Sequence, residues 1–276
     1  MHSESVLRMG PGAGIVGILS TPLDRPAEAG LVILNAGLLY RVGPGRLHVR
    51  LGRAAAMRGY AALRIDLPGI GDSPGRNPGT RDVSAAIDEL ILRTGVRKVM
   101  LFGICAGGAA AYKTAIEDER VGGVLMVDTY YYPTFTTKVR YWGHRLRKSG
   151  PGSLIRAALA RLRHSPDQSI EAADAFDMAP PPPDVYADQV RQITARGAFV
   201  DHVMSGEEPR GYNYAGQYAN RFRKYRLGPL TSAEYYPEAD HLFTRLQHQK
   251  RLIGIVLDRL DRLGQHSAAS RTDPGQ

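Results

Sequence analysis

Val99-Met-Leu-Phe-Gly-Ile-Cys-Ala-Gly-Gly-Ala-Ala-Ala-Tyr112 is the stretch whose reading decides the fold. An apolar run meets a cluster of small residues and then an alanine-rich segment, the pattern of a buried strand, a tight turn and a helix start. Cys105, the only cysteine in the chain, stands at the apex with Gly103 and Gly107 two residues to either side. A nucleophile held on a strained strand-to-helix turn needs neighbours with almost no side chain, which accounts for the G-x-C-x-G spacing. Such a turn also aims the backbone N–H of Ala106 at the point where an oxyanion forms. The bland alternative, a small buried hydrophobe, fits the apex poorly because the reacting atom there must be reachable.

Around this stretch the chain alternates. Val6–Met9 and Ile15–Ser20 read as an antiparallel edge pair, and Leu31–Leu34 as the first buried parallel strand. A helix over Arg46–Arg58, strand Ala61–Leu67, helix Val83–Leu92, strand Val96–Ile104 and strand Val121–Val127 follow. Ala198–Met204 and Thr231–Tyr236 are further strands, and Leu252–Leu263 an amphipathic helix. This alternation specifies an α/β fold with a mostly parallel central sheet flanked by helices. Between Thr129 and Ala195 the pattern lapses into Tyr-, Arg- and Pro-rich sequence with a Pro180–Pro183 run, the texture of an inserted helical lid. The expected organisation is a core over residues 1–128 and 196–263, a lid over 129–195, and a flexible tail over 264–276.

With 276 residues, 43% hydrophobic and 23% charged, the composition is that of a soluble globular protein. No apolar run has membrane-spanning length, and Met1–Gly14 lacks the apolar core of a signal peptide. One cysteine excludes an internal disulfide and fits a cytoplasmic location. A net charge of +9 favours acidic partners. The histidines show no ligand spacing with acids, so no metal or other cofactor is expected, and Gly103–Gly108 lacks the Gly-Lys-Ser/Thr of a phosphate loop.

Three segments together resemble the α/β-hydrolase superfamily: Asn35-Ala-Gly37, the elbow at Cys105, and Ala239-Asp-His-Leu-Phe243. Asp66-Leu-Pro-Gly-Ile-Gly-Asp-Ser73 is similar to a loop of its serine-aminopeptidase-like, lid-bearing branch, and Asn35–Arg46 resembles hydrolases found beside exosortase and biosynthetic gene clusters. The resemblance implies the order nucleophile, acid, histidine, with His241 as the base. It places the acid just past the strand ending near Met204, where Glu208 before Pro209 is favoured and Glu207 adjoins it. Asp128, at the end of the preceding strand, is the alternative. Asp201 falls inside a strand. The second oxyanion donor is expected from the N–H of Gly37 or Leu38, and Arg41, Tyr130 and Trp142 are candidates for substrate contact.

A thiol nucleophile needs less base assistance than a hydroxyl, and its acyl-enzyme is a thioester. The expectation is therefore an ester or thioester hydrolase, or an acyltransferase. Between Lys138 and His164 there are eight Lys/Arg and no acid. That run raises the expectation of a carrier-protein-bound or phosphate-bearing acyl donor, against the commoner solvated helix face. The competing function is a catalytically idle scaffold that binds an acidic partner through the same basic lid. No nucleic-acid-binding module accompanies the charge run.

Overall fold

The computed structural model describes residues 1–23, 29–75, 78–149 and 178–269. Eight strands form one sheet in the order β1-β2-β4-β3-β5-β6-β7-β8. The hairpin β1 (His2–Met9) and β2 (Ile15–Pro22) is antiparallel, and β2 also pairs antiparallel with β4 (Ala61–Asp66). From β4 onward all pairing is parallel, through β3 (Gly30–Ile33), β5 (Val99–Ile104), β6 (Val121–Val127), β7 (Phe199–Ser205) and β8 (Thr231–Tyr236). β5 and β6 are buried at every position, as continuous apolar runs covered on both faces must be.

Helices cover both faces. α1 (Leu47–Met57) and α7 (Leu246–Ala269) share one apolar cluster with Phe102, Ile104 and Val127. α2 (Thr80–Thr94), α3 (Ala106–Glu117) and α5 (Pro183–Ala195) share the other with Leu101, Val124 and Val200. α4 (Phe135–Ser149) and the short α6 (Gln217–Phe222) complete the α-helices among the described residues. β3 and β5 are neighbours although β4 lies between them in sequence, so the winding direction reverses there. Ligand sites in open α/β sheets form beyond the carboxyl ends of strands at such a reversal.

Two expected boundaries change. The lid does not extend to Ala195: Tyr186, Ala187, Val190 and Ile193 of α5 are fully buried and belong to the helical layer over the sheet. Residues 150–177 of the expected lid lie outside the described residues. The tail does not begin at Gly264 either, because α7 continues to Ala269 and buries Gly264. Leu263 packs where a side chain on Gly122 would stand, so tertiary contact holds a glycine that propensity alone marks as a stop. Residues 270–276 of that tail are not among those described. No helix among the described residues is long and apolar enough to cross a membrane.

Two core histidines give the fold an acid liability. His48 on α1 and His202 on β7 are buried, and desolvation lowers each to about 3. His202 Nε2 meets the Tyr186 hydroxyl at 2.6 Å. The unfolded chain binds these protons below about 6.5 while the folded chain refuses them until about 3, so stability falls as pH drops through that window. Each histidine is expected to cost on the order of 4 kcal/mol by pH 3. Urea midpoints measured from pH 7 to 3 check this, and His202→Gln is expected to flatten the dependence.

Candidate active site

Cys105 sits between β5 and α3 with φ 55° and ψ −120°. This conformation costs about 1–3 kcal/mol and persists only where surroundings enforce it. They do so through the backbone: Cys105 N–H donates to Val127 O (2.8 Å), and Cys105 O accepts from Gly108 N–H (3.0 Å) and Ala109 N–H (3.2 Å). A Cβ on Gly103 would stand 2.2 Å from the Gly107 carbonyl carbon, and one on Gly107 would stand 2.0 Å from Asn35 O. The glycines therefore let the helix start press onto its own strand and onto the loop after β3. The thiol is half-buried, with Sγ 3.9 Å from Met178 Sδ.

His241 lies on the loop after β8. Asp240 shapes that loop by accepting from the N–H groups of Leu242 (3.2 Å) and Thr244 (3.0 Å). Gly206 N–H to Ala239 O (3.2 Å) ties it to the end of β7, as does His241 N–H to Glu207 Oε2 (2.5 Å). His241 Nδ1 stands 3.2 Å from Asp128 Oδ2. The Asp128 side chain is fully buried, and its other oxygen accepts from Ser205 N–H at 2.8 Å. Hydrogen bonding to Asp128, then to Cys105, raises the His241 imidazole to about 10. Imidazole and carboxylate are thus in contact beyond the ends of β8 and β6, and the sulfur at the end of β5 is coupled to them electrostatically.

Of the two expected carboxylates, it is Asp128 that faces the imidazole. Glu208 is exposed and contributes its backbone carbonyl to the N–H groups of Gly211 (3.0 Å) and Tyr212 (2.9 Å). The reason is the end of β6: at φ 44° the chain turns the Asp128 side chain across the sheet edge toward the histidine loop. Asp201 is engaged with Ser232 (2.7 Å) and Arg259.

Gly37 has φ 56°, and Ala36 and Leu39 bridge across it, which presents Gly37 and Leu38 at the top of the loop after β3. Asn35 anchors the loop, donating to Leu39 O (2.9 Å) and accepting from Leu67 N–H (2.7 Å). Ala106 N–H is in the first turn of α3, where backbone donors have no intrahelical acceptor. Arg41, expected at the substrate, instead spends its guanidinium on Asp66 and Asp72. Asp66 also accepts Arg41 N–H (2.5 Å) and Asp72 N–H (3.2 Å), so this ion pair braces two loops. Tyr130 is in the core, edge-on to Tyr112 at 5.7 Å between centroids. Trp142, on α4, packs against Tyr141 and under Arg145.

Two residues at the site escape a sequence reading. Tyr131 is half-buried, and its phenol is held well above its ordinary value by burial and then by the charges of Asp128 and Cys105. Its neighbour Tyr130 has the same residue type, and only the turn at Asp128 decides which ring comes under the charges of Asp128 and Cys105. Met178 stands just ahead of the Pro180–Pro183 run, with no periodicity to mark it. No group of three or more His, Cys, Asp or Glu side chains among the described residues is arranged to hold a metal ion.

The strand order, the elbow and the histidine loop define an α/β hydrolase. The chain matches the sequence profile described as the alpha/beta hydrolase family over residues 31–270, and it belongs to that family. A search of curated proteins finds no match. Solved structures share the fold at low identity. A thermophilic esterase from Thermogutta terrifontis is 18% identical with a TM-score of 0.57, over 95% of this chain and 99% of that one. The thioesterase domain from the curacin biosynthetic pathway is 14% identical with a TM-score of 0.56, over 93% and 99%. A dienelactone hydrolase from Anabaena variabilis is 15% identical with a TM-score of 0.56, over 93% and 96%.

Proposed function

We propose that the protein is an acyl hydrolase or acyltransferase for esters or thioesters, working through an acyl group carried on Cys105. The observation that carries this reading is a half-buried thiol on a positive-φ turn, electrostatically coupled to a histidine that Asp128 orients. In the first half-reaction the sulfur attacks the acyl carbonyl as the thiolate of a Cys105–His241 pair whose proton is on the imidazole, as a His241 value of about 10 requires. The tetrahedral oxyanion is received by the N–H groups of Ala106 and of Gly37 or Leu38, each such donor being worth roughly 3–4 kcal/mol of barrier. Collapse breaks the bond to the leaving thiol or alcohol, which takes the proton from His241. Water or another acceptor then attacks the Cys105 thioester with His241 as base, restoring the pair.

Asp128 holds the ring tautomer and stabilises the imidazolium, and Glu207 holds the loop backbone. A thioester donor suits the site best, since exchange between two thioesters is nearly balanced in energy. Incubation with a panel of acyl thioesters and aryl esters, followed by intact-protein mass spectrometry, tests the reading. An acyl adduct mapped to Cys105 supports it. Absence of both adduct and turnover across the panel leaves an idle scaffold.

Met178 forms the wall beside the sulfur, and a thioether is a compliant surface for an acyl chain. Met178→Ala removes three heavy atoms there and opens room for about three methylenes, each worth about 0.8 kcal/mol. The ratio of kcat/KM for long over short acyl N-acetylcysteamine thioesters is expected to rise about tenfold or more. An unchanged chain-length profile removes Met178 from the acyl pocket.

A further inference from the structure

We infer that α4 and the segments after β7 and β8 enclose a binding site for the phosphate end of a pantetheine thioester, the donor of the reaction proposed above. These walls enclose a cleft of about 920 Å3. That volume is within the range of small-ligand sites. Arg140, His144, Arg147 and Lys148 recur at i, i+4, i+7 and i+8, so one stripe of α4 carries all four, and each lines the cleft. None of them is in an ion pair among the described residues, and all are exposed. Cations in the last turn suit the carbonyl end of any helix, but Arg140 and His144 lie further back, beyond the reach of that effect.

Among the described residues, the opposite wall contains no carboxylate. It is made by Gly206, Pro209, Asn213 and Pro237. Asn213 donates to Thr137 O at 2.9 Å, and the Thr134 and Tyr214 hydroxyls meet at 2.9 Å, so the wall is tied to α4 without being filled by it. Asn213 Oδ1 is buried with no donor among the described residues. Glu207, Glu208 and Glu238 adjoin this wall from neighbouring loop positions, and Glu207 is held by His241 N–H. The positive field extends to Tyr141 on the cleft wall, whose phenol is pulled below its ordinary value by hydrogen bonds from Arg210 and Arg145.

Gly206 and Pro237 place the cleft against the proposed catalytic row. Gly206 follows Ser205, which donates to Asp128, and Pro237 opens the loop that carries His241. A ligand with its anionic end beside α4 therefore has its other end directed to the histidine side of the thiol. An extended chain bearing a phosphate at one end and an acyl thioester at the other matches both ends of that path. Coenzyme A and the prosthetic arm of a carrier protein share this chemistry.

Calorimetric titration of the full chain with coenzyme A, 4′-phosphopantetheine and pantetheine reads the phosphate contribution without any turnover. Both phosphate-bearing ligands are expected to bind at least tenfold more tightly than pantetheine, with the difference shrinking as salt rises. In the double variant Arg140→Glu/Arg147→Glu the preference is expected to fall to within twofold. Arg140→Gln/Arg147→Gln is expected to give an intermediate value, and circular dichroism reports that both variants fold. A carrier protein bearing its phosphopantetheine arm, compared with the same carrier lacking it, separates the two sources. Gain from the arm beyond that of free 4′-phosphopantetheine assigns the carrier, and no such gain assigns coenzyme A. Equal binding of 4′-phosphopantetheine and pantetheine by the unaltered protein overturns the phosphate site, whether or not Cys105 is acylated by simple esters. Phosphate-dependent binding without acylation of Cys105 retains the site and removes the thioester reaction.

Discussion

Cys105→Ala is expected to abolish acyl-enzyme formation and to lower turnover by on the order of 10^4 to 10^6, the loss typical of a covalent nucleophile. The site keeps its donors and its histidine in that variant, so only the bond-forming atom is removed. Cys105→Ser preserves size and tests the sulfur itself. A hydroxyl beside the same imidazole must be deprotonated during attack, so the serine variant is expected to fall between the other two. Cys105→Gly separates chemistry from folding. At φ 55° glycine relieves backbone strain. Activity is then expected to vanish while stability holds or rises by about 1 kcal/mol, a few degrees in melting temperature for a chain of this size. Adduct mapping and thermal melts on the same samples measure both. Retained turnover in the alanine variant excludes the thiol.

Asp128→Asn is expected to lower kcat by about 10^4, because an amide can hold the wrong ring tautomer and cannot stabilise the imidazolium. The substituted side chain can still accept from Ser205 N–H, which limits structural damage. Glu208→Gln is expected to change kcat by less than twofold, since that carboxylate is exposed and its backbone oxygen caps the turn. The two variants together decide between the candidate acids by roughly four orders of magnitude. A pH signature accompanies the pair. His241 is raised to about 10 in the folded chain from an ordinary value near 6.5. Its contribution to stability is therefore complete below about 6.5 and is lost as pH rises toward 10. The difference in melting temperature between the parent and Asp128→Asn is expected to be largest at pH 6 and to narrow through pH 10. A difference that widens over that range contradicts the ion pair.

The central strands are legible because a fully buried parallel sheet demands unbroken apolar runs. Leu31–Leu34 and Val121–Val127 fall within a residue or two of where the strands stand. The turn at Cys105 was legible for a steric reason that acts locally, since Gly103 and Gly107 are read directly from the neighbours they must admit. The end of α7 was hidden because Gly264 signals a stop by propensity and is overruled by burial. The extent of the insertion was hidden likewise: α5 follows a proline run, yet its Tyr186 and Val190 face the sheet.

The sequence by itself determined the α/β class, the place of the thiol and the loop of the histidine, since each follows from residues near one another along the chain. Tertiary structure decided which carboxylate meets His241, which of two adjacent tyrosines comes under the charge of Asp128, and that Arg41 is a brace between loops. Those outcomes depend on how strands distant in sequence align at one end of the sheet. The positive φ of Asp128 turns its side chain toward the histidine loop, while Glu208 is turned out to water.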